Sequence, residues 1–230
     1  GRVVKGYGTC GLPQAGYCGL YNRIIKRIID FILSLIAAVA VTPIVFIIGI
    51  FIAIEDGFPV FYTPLRGGYR GKAFRIFKLR TMYKGADKMG GTTALNDPRI
   101  TRMGKALRKL KLDELPQVYN VLLGSMSFIG PRPELLRYTE AYKGEEKIIL
   151  EVRPGITDFS SIEFISLDVI VGAENADEMY EKYVLEKKNK LRIRYAKEVS
   201  FGTDVSLFFK TVTAVLKKAM RVVGKSNGEK

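Results

Sequence analysis

The sequence predicts a mixed α/β chain that is mostly helical. It should carry an N-terminal re-entrant membrane helix hairpin, interfacial amphipathic helices and a small cytosolic domain with short strands. Three observations predict this. Residues 31–54 (FILSLIAAVAVTPIVFIIGIFIAI) run for 24 residues without a charge. Residues 59–82 hold two aromatic and branched stretches, PVFYTP and AFRIFKLRTM, with Gly67, Gly68 and Gly71 between them. Residues 204–222 (DVSLFFKTVTAVLKKAMRV) place Phe208, Val212, Val215, Leu216 and Ala219 near one face, with Lys210, Lys217, Lys218 and Arg221 largely elsewhere.

Taken in order, residues 1–20 carry six glycines and no apolar periodicity, and read as a flexible tail. Residues 21–56 read as the anchor. A 24-residue helix is about 36 Å long, enough for a hydrocarbon core of about 30 Å. Both flanks are basic. Arg23, Lys26 and Arg27 precede the run, and the stretch from Arg66 to Lys111 holds 14 Lys/Arg against Asp87 and Asp97. Basic flanks belong on the cytosolic side, so a helix that enters and leaves by one face satisfies both. Pro43 stands at the midpoint and breaks helical hydrogen bonding. The Thr42 hydroxyl is placed to occupy a carbonyl freed by that break. Residues 57–203 read as the cytosolic domain. After the strands come a basic helix over 99–110, a helix over 115–123 opened by Pro116, a helical stretch over 134–150 and a charged, solvated helix over 174–197. Residues 204–222 read as an interfacial helix and 223–230 as a flexible tail.

The composition narrows the chemistry. The chain has 230 residues, enough for a real core without a staple. Lys+Arg number 37 against 23 Asp+Glu, a net charge of +14. Such a chain expects an anionic partner: nucleic acid, anionic lipid or a phosphorylated substrate. There is no histidine, which removes Ser-His-Asp triads, histidine bases and histidine zinc sites. Acid–base work falls to Asp, Glu, Lys, Tyr or Cys. Cys10 and Cys18 are too few for a disulfide framework or a four-thiolate zinc site.

Two segments stand out. KLDELPQVYN places Asp113 and Glu114 at the start of the helix that Pro116 opens, where the helix dipole favours their ionised forms. They follow Arg102, Lys105, Arg108, Lys109 and Lys111. A carboxylate with a divalent ion beside phosphate is a workable phosphoryl-transfer arrangement, but an Asp-Glu pair ahead of a helix also serves as a cap. SFIGPRPE holds Arg132 between Pro131 and Pro133 on a stiff loop, suited to phosphate and equally to a plain turn. Lys78, Arg80 and Arg108 are further candidate phosphate ligands. Tyr69 and Tyr119 are candidates for base stacking or for structure. No P-loop or Rossmann fingerprint occurs.

Taken together and in order, YNRIIKRIIDF, the apolar run broken at Thr42-Pro43, FRIFKLRTM, ITRMGKALRKLKLDELPQVYNVLLGSMSFIGPRPE and VRPGIT resemble the bacterial monotopic phosphoglycosyl transferases, the bacterial sugar transferase family. The resemblance runs from about Tyr21 to Thr157, with a looser part to about residue 222, and is to the small single-domain members. It implies transfer of a sugar-1-phosphate from a UDP-sugar to polyprenyl (undecaprenyl) phosphate, with UMP released, as the first membrane step of glycoconjugate assembly. It implies a bacterial inner-membrane enzyme on the cytosolic face, its domain over 57–203 catalytic and in contact with anionic phospholipid, with no nucleic acid partner. By the resemblance, Asp113 is the nucleophile that carries a covalent phospho-sugar and sits at the required Mg2+. Glu114 handles protons or positioning. Arg132 and Arg108 match arginines of the family's site, and Thr42-Pro43 matches its helix break.

Residues 158–164 (DFSSIEF) depart from the family's usual Gly-Trp-Ala-Gln-like stretch, so no nucleotide-recognition residue is carried over from there. Two other readings stay open: a membrane-associated glycosyltransferase that releases UDP, and a non-enzymatic basic membrane adaptor. The sequence does not decide whether the chain forms a homodimer.

Overall fold

The computed structural model describes residues 16–86, 97–164 and 180–226. A π-helical turn, Tyr21–Ile25, leads directly into α1 (Lys26–Asp56). Among the described residues, Tyr21–Asp56 is the one run long and apolar enough to cross a membrane. Its buried positions recur as Lys26, Asp30, Ser34, Ala38, then Val45, Gly49 and Ile52, a single stripe laid on the rest of the protein. The other faces expose Ile36, Val39, Phe46 and Ile54, each by more than 60%. A bare apolar surface of this extent marks a membrane-associated chain.

The expected helix–break–helix is not realised as two helices. The helical assignment of α1 runs on through Thr42 and Pro43. Pro43 has no N–H for Val39 O. The Thr42 hydroxyl does not compensate there; it donates to Ala38 O at 2.7 Å and lies 2.9 Å from the Tyr119 hydroxyl. Tyr119 therefore meets the anchor, in a structural role.

Short strands follow where the sequence predicts them. β1 (Phe61–Tyr62) pairs antiparallel with β4 (Lys78–Leu79), Phe61 facing Leu79. β2 (Leu65–Gly67) pairs antiparallel with β3 (Ala73–Arg75), Leu65 facing Arg75. The predicted basic helix is α2 (Arg102–Leu110), capped by the Thr101 hydroxyl on Gly104 N at 2.9 Å. α3 (Gln117–Leu123) begins at Pro116 and ends at Gly124, which takes the left-handed conformation.

The pairing missed in the sequence is parallel. β5 (Ser127–Ile129) lies beside β6 (Gly155–Thr157), Ser127 facing Gly155. The expected helix over 134–150 divides into α4 (Leu136–Glu140) and a 3-10 run, Gly144–Glu151. After α5 (Phe159–Glu163), a π turn (Glu181–Leu185) opens α6 (Glu186–Glu198), and α7 (Phe201–Ser226) closes the described chain. Residues 174–179 of the expected charged helix lie outside the described residues. α6 is not the solvated helix expected: Lys188, Asn189, Arg192, Tyr195 and Ala196 are buried. Arg192, read as solvated in the sequence, pairs internally with Glu134, and Asn189 donates to Glu146 Oε1 at 3.0 Å. α7 starts three residues before the amphipathic stretch and exposes Phe208, Phe209, Val215 and Leu216.

The core lies in two main layers. Ile129, Val152, Tyr195, Ala196, Val199 and Leu207 join β5 to α6 and α7. Val45, Ile52, Leu79 and Leu107 join α1 to β4 and α2. β5 and β6 diverge into the loop that carries Arg132, and two glycines let their backbones touch. A Cβ on Gly155 would stand 2.1 Å from Gly130 N, and one on Gly130 2.3 Å from Arg153 O. Gly155→Ala is therefore expected to cost about 3 kcal/mol, at the upper end for overpacking. Thermal denaturation followed by circular dichroism checks this; an unchanged midpoint would contradict it.

Candidate active site

The site forms where α2 ends. Lys111 closes the helix in the left-handed conformation, φ 59°. That reverses the chain into a 3-10 turn, Leu112–Glu114, and on through Pro116 into α3. The Asp-Glu pair is thus presented by a turn clamped between two helices.

Glu114 Oε1 accepts from Lys78 Nζ of β4 at 3.1 Å, and from Arg132 Nη2 of the loop after β5. Arg132 also donates from Nη1 to Ile156 O of β6 at 3.2 Å. The loop itself is pinned by Gly130 N to Thr157 O at 2.9 Å and Gly155 N to Pro131 O at 3.0 Å. Three distant pieces of sequence therefore converge on one carboxylate. Burial alone would push the Glu114 carboxyl up, but Arg132 and Lys78 together outweigh it and hold it well below the usual carboxylate range. Glu114 is ionised at every working pH.

Asp113 differs from its neighbour. It is 9% exposed, and its Oδ1 is buried with no hydrogen-bond partner. Burial first, then the Glu114 charge, push its carboxyl above the ordinary value, against Lys78, Lys111 and Arg108. An oxygen buried without a partner carries a desolvation cost. A cation or an electrophile arriving at that atom relieves it.

The donor set fits Mg2+. No group of three or more His, Cys, Asp or Glu exists among the described residues to form a complete cage. Mg2+ is commonly held by one or two carboxylates plus substrate phosphates and water. Asp113 Oδ1 offers one such ligand, while Glu114 is committed to its two cations.

Of the residues expected from sequence, Asp113, Glu114, Lys78 and Arg132 come together. Arg108 stands near enough to act on Asp113 electrostatically, with its Nε on Thr81 Oγ1 at 2.8 Å. Arg80 goes elsewhere. Its Nη2 donates to Asp56 O and Gly57 O at 3.0 and 2.5 Å and pairs with the Asp56 carboxylate. It caps the C-terminal end of α1 and forms no ion pair with Glu114, although its Nη1 is buried without a hydrogen-bond partner. The end of β4 explains the difference: Lys78 lies on the strand and reaches Glu114, whereas Arg80, which alternation alone would keep on the same face, stands past the strand's last residue, Leu79.

Lys111, named in the sequence as part of the basic run beside the pair, acts on both carboxylates. Sequence reasoning missed other groups. Asp158, fully buried, caps α5 by accepting from Ser161 N at 2.7 Å and acts on Arg132; the Asp-x-x-Ser pattern of a cap was its one sequence signal. Lys188 of α6 lies beyond it. That lysine is 8% exposed, with Tyr180 OH at 3.4 Å and the rings of Tyr180 and Phe164 at 4.8 and 5.8 Å. Burial, and then Arg192, push its ammonium down to about 8, against the pull of Glu134.

The sign follows from linkage. Between pH 8 and 10.5 the unfolded chain binds the Lys188 proton and the folded chain does not, so stability rises with pH across that window. Below it, the buried charge costs on the order of 3 kcal/mol. Lys188→Met is expected to be more stable than the parent at pH 7 by about 1–3 kcal/mol, with the advantage shrinking towards pH 10. Thermal melts in detergent at pH 7 and 9.5 check this; parallel melts at both would refute it.

An apolar anchor is thus joined to a carboxylate pair ringed by cations. The chain belongs to the bacterial sugar transferase family, whose sequence profile matches residues 21–218. It is 33% identical over 195 residues to the UDP-glucose:undecaprenyl-phosphate glucose-1-phosphate transferase of Escherichia coli K12, covering 83% of this chain and 40% of that one. It is 34% identical over 196 residues to the UDP-N-acetylgalactosamine-undecaprenyl-phosphate N-acetylgalactosaminephosphotransferase of Aeromonas hydrophila, covering 84% of this chain and 44% of that one. To the exopolysaccharide production protein ExoY of Sinorhizobium fredii it is 31% identical over 221 residues, covering 89% and 91%. The chain thus spans less than half of the first two relatives and most of the third.

Proposed function

We propose that this chain transfers a sugar-1-phosphate from a UDP-sugar to polyprenyl phosphate and releases UMP. The observation that carries the reading is the Asp113 carboxylate, buried with an unpartnered oxygen beside a Glu114 held by Lys78 and Arg132. The names of the relatives from Escherichia coli and Aeromonas hydrophila support the substrate classes.

In this mechanism the Asp113 carboxylate attacks the phosphorus that bears the sugar. The bond from that phosphorus to the bridging oxygen breaks, and UMP departs with the electron pair. An oxygen of polyprenyl phosphate then attacks the same phosphorus. The Asp113–phosphorus bond breaks, the carboxylate returns, and a polyprenyl diphosphate sugar remains. UMP leaves as a phosphate anion, so no strong general acid is required, which suits a chain without histidine. Arg132, Lys78 and Arg108 face the charge spread over the transferring oxygens. Mg2+, when bound beside Asp113, neutralises phosphate charge. Glu114 keeps the two cations ordered at that place.

The anchor suits a lipid acceptor. Near its start, Arg27 donates to Val121 O and Leu122 O at 2.7 and 2.8 Å. At its end, Glu55 accepts from Arg102 N at 2.8 Å and Asp56 pairs with Arg80. Both ends hold the same charged domain, which cannot lie on two sides of a bilayer. This supports an anchor whose two ends lie on one side of the bilayer, with the domain on the basic, cytosolic side of the bacterial inner membrane.

The test is to incubate the purified protein with Mg2+, polyprenyl phosphate and a panel of UDP-sugars, and to identify the nucleotide released. UMP that appears only with lipid phosphate and intact Asp113 is the expected result. UDP would move the protein to the glycosyltransferases that transfer sugar alone.

A further inference from the structure

Four arginines gather at the end of α3 away from Asp113. Tyr69 lies in the turn between β2 and β3, and two guanidinium groups stack on its ring: Arg70 at 5.1 Å and Arg153 at 5.0 Å from the centroid. Arg70 holds the left-handed conformation, φ 54° and ψ 36°, which a residue with a Cβ adopts at a cost. Arg23 reaches the same place from the turn before α1, because Asn22 Nδ2 donates to Glu151 O at 3.2 Å and ties that turn to the segment leading to Arg153. Arg27, which caps α3, is close enough to act on Arg153.

The facing charges are few. Glu151 is felt by Arg70 and Arg23, but forms no ion pair with either. Asp30 is felt by Arg153; its Oδ1 accepts from Phe128 N at 3.2 Å, and its Oδ2 is buried without a hydrogen-bond partner. The guanidinium groups of Arg23, Arg70 and Arg153 make no hydrogen bond or ion pair among the described residues. Arg23 and Arg70 are exposed and Arg153 is half-buried, so all three can meet an external anion, and Arg70 is held in a conformation that a residue with a Cβ adopts at a cost.

The position indicates the ligand. Arg23 stands among exposed Leu20, Ile24, Ile25 and Ile28, where apolar surface gives way to basic surface. That boundary is the headgroup level of a membrane-docked protein, where basic groups meet lipid phosphate. We propose that Arg70 and Arg153, stacked on Tyr69, together with Arg23 on the adjoining turn, bind the phosphate of an anionic phospholipid headgroup. The proposal rests on the membrane-docked reading above and on none of its chemistry. Guanidinium pairs suit a phosphate diester through parallel hydrogen bonds, and a stacked guanidinium loses less freedom when it binds.

The test uses the full chain in neutral detergent, with phosphatidylglycerol and phosphatidylcholine titrated separately and bound lipid counted by native mass spectrometry. The wild type is expected to retain phosphatidylglycerol about tenfold more tightly than phosphatidylcholine. Tyr69→Leu leaves the net charge unchanged, yet should weaken phosphatidylglycerol binding about fivefold through loss of stacking. Arg153→Gln should do the same, and Lys105→Gln, a charge-matched change on exposed α2, should not. A Tyr69→Leu protein that binds like wild type, or a Lys105→Gln loss equal to that of Arg153→Gln, would reduce the cluster to diffuse charge and overturn the proposal. Displacement of the lipid by equimolar polyprenyl phosphate or inorganic phosphate would reassign the site to those ligands. Failure of the wild type to retain either lipid would instead defeat the membrane-docked reading itself.

Discussion

Asp113→Asn is expected to abolish UMP release while leaving the protein at least as stable as its parent. The two halves have one cause. The carboxylate is buried, one oxygen lacks a partner, and burial with the Glu114 charge raises its proton affinity. A neutral amide of the same shape removes the like-charge repulsion. It also removes the nucleophile, and loss of a covalent nucleophile costs roughly 10^4-fold or more in turnover. The measurement pairs UMP release with a thermal melt. Wild-type turnover in a folded Asp113→Asn protein would remove the covalent mechanism. A collapsed melt would show that Asp113 holds the turn together, as an ordinary cap does. Glu114→Gln separates the two carboxylates further. It leaves Lys78 and Arg132 facing each other across a neutral group, so it should lose both stability and activity.

The largest stability effect lies far from that pair. Asp204, at the start of α7, accepts from Tyr21 OH at 2.7 Å, from Tyr195 OH at 2.7 Å and from Lys26 Nζ. Lys26 is 4% exposed, on the first turn of α1. Asp204→Ala strands that ammonium in the interior together with the Tyr21 hydroxyl, while the Tyr195 hydroxyl keeps Ile129 O at 3.1 Å. Removal of one partner of a buried pair costs about 3–5 kcal/mol, a large share of the 5–15 kcal/mol that holds a typical domain. A fall in the melting temperature of more than 10 °C is the expected reading. Lys26→Met together with Asp204→Leu should recover much of it, because the stranded charge is then absent. If the double variant melts no higher than the single one, the loss belongs to packing and not to charge.

Local pattern made much of this readable. The uncharged run announced α1, Thr101 and Pro116 announced α2 and α3, and the alternating residues of 59–82 announced the paired strands. Asp113, Glu114, Lys78 and Arg132 were singled out as candidates, with a cap, a turn and a solvated surface open beside them, and the fold brings the four together. Long-range choices were not legible. Nothing within Lys78-Leu79-Arg80 tells that Lys78 meets Glu114 while Arg80 caps the anchor, since that depends on where β4 ends. The parallel β5–β6 pair joins residues nearly thirty apart through two glycines and a proline, with no hairpin signal. Lys188 and Arg192 sit in a segment whose composition reads as solvated. They are buried because Glu134 and Asp158, brought in by the fold, supply the opposing charge. The continuous backbone at Pro43 was hidden for a related reason: a proline's effect on a helix depends on what packs beside it, here Tyr119.

The contact between Lys26 and Asp204 also sets an order in time. The two residues are separated by 178 positions. At about 5–20 residues per second, synthesis keeps Lys26 waiting some tens of seconds for its carboxylate. During that interval an unpaired ammonium heads the apolar helix and resists being drawn into lipid behind it. The joint closes only once α7, which carries Asp204, has left the ribosome.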